Sequence, residues 1–237
     1  MIKFFRKIRQ QLLAKNKFSR YLIYALGEIA LVVIGILIAL QINNWNEAQQ
    51  SNLQQRKYLS LIKTEMANNL DALEVEKQRL NEVLEGLRGM ISLTDQSSSE
   101  ISEKDFAFPW GKAFSKTIRL KYENGALTEL ISSGVLKEIS NDTIRNTLAS
   151  WESKIQKLVS QENETNAYLQ KGNDYLEKHG DVRTIIDVNN GNAWWGIGKS
   201  PSPGNNIDLL KSTEFGNIVV FSIGTGGTLN RVYLCQT

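Results

Sequence analysis

Cysteine and histidine are nearly missing from these 237 residues: there is one of each, Cys235 and His179. A lone cysteine excludes an internal disulfide, a CxxC redox pair and a cysteine-based zinc site. A lone histidine argues against a His-based metal cluster and leaves no spacing that suggests a Ser-His-Asp set. In the last turn of a helix, His179 reads as a charge-complementing cap. No catalytic, cofactor-binding or metal-binding residue is expected, and neither is enzymatic activity. Proline is almost as scarce. Its three positions are 109, 201 and 203, so the first 108 residues carry no obligate helix breaker. Glycine is absent between Gly35 and Gly86, which removes the other common interruption.

Acidic side chains are absent from residues 1–20, which hold seven basic ones: Lys3, Arg6, Lys7, Arg9, Lys15, Lys17 and Arg20. The rest of the chain carries 21 basic against 25 acidic residues, so the overall charge of +3 belongs to this arm. Such a balance does not point to nucleic acid. Within residues 2–13, Phe4, Phe5, Ile8, Leu12 and Leu13 fall largely on one helical face. This pattern predicts an amphipathic helix on an anionic membrane surface.

Next comes the one long apolar run, Tyr21–Ile42, in which Glu28 is the only formal charge. As a helix it would measure about 33 Å, enough to cross a hydrocarbon core. Seven positive charges before it predict a cytoplasmic amino-terminal side. Tyr21 and Tyr24 suit one membrane interface and Trp45 the other. The run is longer than the apolar core of a signal peptide, and no small-x-small cleavage site follows it, so an uncleaved anchor is expected. Ala25, Glu28, Val32, Gly35 and Ala39 recur at steps of three and four. This stripe of mostly small residues would let two membrane helices approach closely. A carboxylate at that depth costs on the order of 3 kcal/mol, so Glu28 is expected protonated or partnered. It would serve helix packing or, alternatively, a proton or ion path.

Beyond the span, apolar residues from Tyr58 to Leu87 keep a helical period and predict a long amphipathic stalk ending near Gly86 and Gly89. Glu65, Glu74, Glu76 and Glu82 read as a solvated face. Residues 91–117 lose the pattern, and Phe106–Gly111 reads as an aromatic turn. A short helix is expected over about 122–133, stopped by Gly134. Ser140-Asn141-Asp142 reads as a cap before a second long helix that ends near Gly180. Its seam, from Ile144 to Leu169, is interrupted by Glu162 and Thr165. An antiparallel pair of long helices with a shorter third is the simplest arrangement. After residue 181, Thr184–Val188 and Asn217–Ile223 look like strands, Gly224–Gly227 a turn between apolar stretches. The loop between them carries Trp194 and Trp195, expected to pack on the bundle end or to touch a partner. AWWGIGKS at 193–200 loosely matches a phosphate loop but lacks the strand before it and the helix after it.

Two blocks, GEIALVVIGILIALQINNWNE at 27–47 and SGVLKEISNDTIRNTLASW at 133–151, resemble an uncharacterised family of small single-span membrane proteins of Gram-negative bacteria. The opening MIKFFRKIRQ is similar as well. The resemblance implies an inner-membrane protein with a periplasmic helical domain, and brings no activity, cofactor or catalytic residue with it.

The expected fold is mainly α. A transmembrane helix (21–42) follows a basic cytoplasmic arm (1–20) and continues into a periplasmic helical bundle (43–180). A small irregular or β segment (181–237) completes the chain. The expected function is a membrane-anchored scaffold or partner-binding module. It would touch the lipid bilayer, form a homo-oligomer and meet a periplasmic or membrane protein, without cofactor or nucleic acid. The alternative is an oligomeric proton or ion conductor built on Glu28.

Overall fold

A computed structural model describes residues 18–234, with side chains from residue 22 onward. The basic arm expected over residues 1–20 therefore lies outside the described residues up to Lys17, and the side chain of Tyr21 lies outside them as well. The chain divides into two compact units, Met1–Tyr58 and Leu59–Thr237. One helix, α1 (Phe18–Thr94), enters both.

In the first unit α1 is apolar from Leu22 to Ile42 with its large side chains turned outward. No residue of its most apolar window is buried, and it is long and apolar enough to cross a membrane.

The second unit is built on two heptad seams. On α1, Ile62, Asn69, Leu73, Glu76, Leu80, Val83, Leu87 and Met90 are buried at steps of three, four or seven. On α4 (Asp142–His179) the buried set is Leu148, Ile155, Leu158, Glu162, Thr165, Leu169, Gly172 and Leu176. Asn141 caps α4 by accepting from the Ile144 amide at 3.1 Å. Gly180 ends it, donating its amide to the Leu176 carbonyl. Between α1 and α4 come α2 (Glu103–Phe114), α3 (Gly125–Ser132) and a 3-10 turn at Val135–Glu138. Gly134, at φ +80°, takes the left-handed conformation that stops α3. After α4 come α5 (Val182–Val188), α6 (Asn192–Trp195), a 3-10 turn at Ile207–Lys211 and α7 (Thr213–Leu234).

The structure corrects four sequence expectations. The residues after 181 form helices, and there is no strand among the described residues. The β-branched run 217–223 misleads because its burial has a helical period: Phe215, Val219, Ser222, Gly226, Leu229 and Tyr233 face the core at alternating steps of four and three. Gly224–Gly227 lies inside α7. At α5, Asp181 accepts from the amides of Arg183 and Thr184, a side-chain cap that starts a helix where propensity suggests a strand.

The aromatic stretch Phe106–Gly111 is helical, not a turn. Ser102 and Asp105 form a reciprocal capping box at the start of α2. Phe106, Trp110 and Phe114 then bury one face, with Trp110 5.6 Å from Phe106, 4.4 Å from Phe114 and 5.8 Å from Phe215 of α7. That aromatic burial outweighs the roughly 3 kcal/mol penalty of Pro109 inside the helix.

Gly86 and Gly89 do not end α1. A Cβ on Gly86 would lie 2.7 Å from the Pro109 carbonyl and the Ala113 amide, so this glycine lets α2 cross backbone to backbone.

Finally, the long helices run parallel, not antiparallel. Glu65, Asn69 and Glu76 of α1 bond residues 126, 123 and 119 in turn, while Glu162, Asn166 and Asn173 of α4 bond residues 120, 118 and 114. Both helices therefore ascend as residues 114–126 descend. The antiparallel partner is α7: Tyr175 meets Ser212, Tyr168 stacks on Phe221, and Glu162 meets Tyr233.

Candidate functional site

Residues 115–124 form a strap between two helices, and side chains of α1 and α4 bond its backbone at Ile118, Arg119, Leu120 and Glu123. Asn173 donates to the Phe114 carbonyl at 2.9 Å. Asn166 accepts from the Ile118 amide and donates to its carbonyl, at 2.9 and 2.7 Å. Glu76 accepts from the Arg119 amide at 2.8 Å, and Glu162 from the Leu120 amide at 2.9 Å. Asn69 accepts from the Glu123 amide at 2.7 Å and donates to its carbonyl at 2.8 Å. Residues 118 and 120 turn to α4 while 119 and 123 turn to α1, the alternation of an extended chain.

The clasp residues share one spacing. Glu65, Asn69 and Glu76 on α1 stand at steps of four and seven, and so do Glu162, Asn166 and Asn173 on α4. Each set lies along one side of its helix and aims polar groups at the strap and at the helix residues that flank it, Phe114 and Ala126. Glu162 is 3% exposed, and its Oε1 also accepts from the Tyr233 hydroxyl at 2.6 Å. Burial raises the Glu162 carboxyl above its ordinary value, against the pull of Tyr233 and the Leu120 amide. Burial and the Glu162 carboxylate push the Tyr233 hydroxyl upward too. The expectation of a solvated carboxylate face holds for Glu74 and Glu82, which are exposed, and fails for Glu76 and Glu65, which hold backbone amides. The legible signal was the pair of polar interruptions, Glu162 and Thr165, in an otherwise apolar seam.

The loop after α5 is equally well held. Asp181 accepts from Thr184 Oγ1 at 2.7 Å and from the Gly204 amide at 2.8 Å, and those bonds, the Thr184 hydroxyl first, keep its carboxyl below the usual range. Asp187 accepts from the Asn192 side chain and, at 2.7 Å, from the Ser200 amide. Arg183 donates to the carbonyls of Gly198 and Lys199. In 193–200 the serine amide that a phosphate would need is therefore spent on a carboxylate.

On this framework stand Trp194 and Trp195, 86% and 57% exposed, with ring centroids 6.2 Å apart. They do not pack on the bundle end. In the first unit, Ala25, Glu28 and Val32 line one shallow groove with Ile29 and Val33. A Cβ at Gly35 would meet nothing within 4 Å. Ala39 lies on the same stripe, and Tyr24 and Trp45 are exposed on α1. Among the described residues no three His, Cys, Asp or Glu side chains are grouped to hold a metal.

A protein-family model described as a family of unknown function, DUF6090, matches residues 28–180. No curated protein and no solved structure matches the chain.

Proposed function

This chain belongs to the DUF6090 family of unknown function, and we propose that it works as a single-span inner-membrane anchor that self-associates and presents a periplasmic helical domain to a protein partner. The outward-facing apolar surface of Leu22–Ile42 carries the reading. Sixteen of its 21 residues are Leu, Ile, Val or Ala, nearly all of them exposed; they need a nonpolar surrounding, and a bilayer core of about 30 Å supplies one. The seven basic residues before it favour the cytoplasm for the amino-terminal side, and so the periplasm for the second unit.

The stripe Ala25, Glu28, Val32, Gly35 and Ala39 supports self-association. Its small side chains admit a neighbouring backbone, and a shared hydrogen bond between Glu28 side chains would join the helices in lipid. The exposed pair Trp194 and Trp195 supports a partner surface, since large aromatics on a rigid loop are typical interface anchors. Disulfide trapping in native membranes, in a Cys235→Ser background, tests the assembly. Ala39→Cys should give covalent dimers and Leu37→Cys, on the opposite face, should not. Equal yields at both positions, or none, would end the proposal.

A further inference from the structure

Between α1, α4 and the strap lies a cavity of about 310 Å³ walled by Met66, Leu70, Leu73, Leu120, Ile155 and Leu158. Three further wall residues carry polar atoms, and two of these are spent. Asn69 is committed to the Glu123 backbone, and Tyr122 donates to Glu152 at 3.4 Å. The third, Trp151, has its indole N–H buried with no acceptor among the described residues.

We propose that this cavity is a binding site for a small apolar molecule carrying one hydrogen-bond-accepting oxygen. Size selects the class. Small-molecule sites begin at about 300 Å³ and are mainly apolar with a few polar groups. Water against these walls finds one free polar group, the Trp151 indole N–H, so it is held there weakly. An empty cavity forfeits dispersion contacts on every wall, which an apolar occupant restores. The unpaired indole N–H adds orientation, because a buried donor without an acceptor is unfavourable and a ligand oxygen would relieve it. The site lies wholly within the second unit and does not depend on self-association through the span.

The probes are cyclohexanone, which has an apolar ring and one acceptor, and methylcyclohexane, which has the ring alone. Each is titrated into the full chain in detergent micelles, labelled with ¹⁵N-tryptophan, with the Trp151 indole signal assigned through Trp151→Phe. Both probes should perturb that signal saturably, and only cyclohexanone should move the N–H proton downfield. Leu70 is half exposed at the rim, so Leu70→Phe narrows the cavity without overpacking the core and should weaken both effects at least tenfold. Should that variant fail to fold, Met66→Phe serves the same purpose. A Trp151 signal that neither probe saturates, or that responds equally in the narrowed variant, overturns the site. Saturable binding of both probes with no downfield shift overturns the role of the indole N–H.

Discussion

Glu162 is the residue on which α4, α7 and the strap converge, and its environment fixes a pH dependence. Its carboxyl is raised in the folded protein by burial, above an unfolded value of about 4.3. A raised carboxyl stabilises the fold fully below the unfolded value, and that contribution is lost as pH rises through the folded one. The carboxyls of Asp105, Asp181 and Asp187 are lowered by hydrogen bonds and act in the opposite sense, losing their contribution as pH falls. Whole-protein melts therefore mix two limbs, and Glu162→Gln separates them. The variant keeps an acceptor for Leu120 and Tyr233 but cannot ionise. Urea melts at a series of pH values should show the wild type losing stability relative to this variant as pH rises from about 4 towards neutrality. A difference independent of pH would contradict the assignment. Tyr233→Phe removes one of two donors to the same oxygen. It should lower stability by about 1–2 kcal/mol in the same melts and shift the Glu162 limb to higher pH, because the hydroxyl holds that carboxyl down.

At the scale of the element, one substitution should act in opposite directions depending on what faces the glycine. Gly86→Ala drives a Cβ into the backbone of α2, at 2.7 Å from Pro109 O and Ala113 N, and should destabilise the domain by about 1–3 kcal/mol. Gly224→Ala and Gly227→Ala meet nothing within 4 Å inside α7. Each should stabilise the fold by up to about 1 kcal/mol through helix propensity. Thermal melts of the three variants check both signs. The same glycines show what the sequence could reveal. Gly134 and Gly180 stop helices as their positions predict, and the stretch Ser140–Asp142 caps one through Asn141, because those signals are local. Gly86 looks like a stop and is a crossing point, since its role depends on α2, which arrives from about 20 residues further along the chain. In α7 the valine and isoleucine run signals a strand locally, and the six inward positions from Phe215 to Tyr233 decide for a helix. The two clasp triads share one spacing, but only the strap between them gives that spacing a meaning. The exposure of Trp194 and Trp195 depends on Asp181, Arg183 and Asp187 tying down the loop around them. That arrangement pairs residues up to 23 positions apart and leaves no periodic trace.

For the molecule as a whole, two surfaces lack an aqueous rationale: the apolar length of α1 before residue 43, and the tryptophan pair. The first forms the contact in the proposed assembly, so Gly35→Leu should reduce the disulfide-linked species that Ala39→Cys gives in membranes while leaving the melting of the second unit unchanged. Glu28→Gln distinguishes packing from conduction. A packing role predicts that the variant still assembles, because the amide retains a donor and an acceptor, whereas conduction predicts that proton flux through reconstituted wild-type protein disappears in the variant. The most direct test of the central claim is labelling of single cysteines by a membrane-impermeant maleimide in a Cys235→Ser background. With Lys15→Cys or Ser99→Cys present in intact spheroplasts, Ser99→Cys should label at once and Lys15→Cys only after the membrane is opened. The reverse pattern, or a protein recovered in the soluble fraction, would contradict a single span with its helical domain outside.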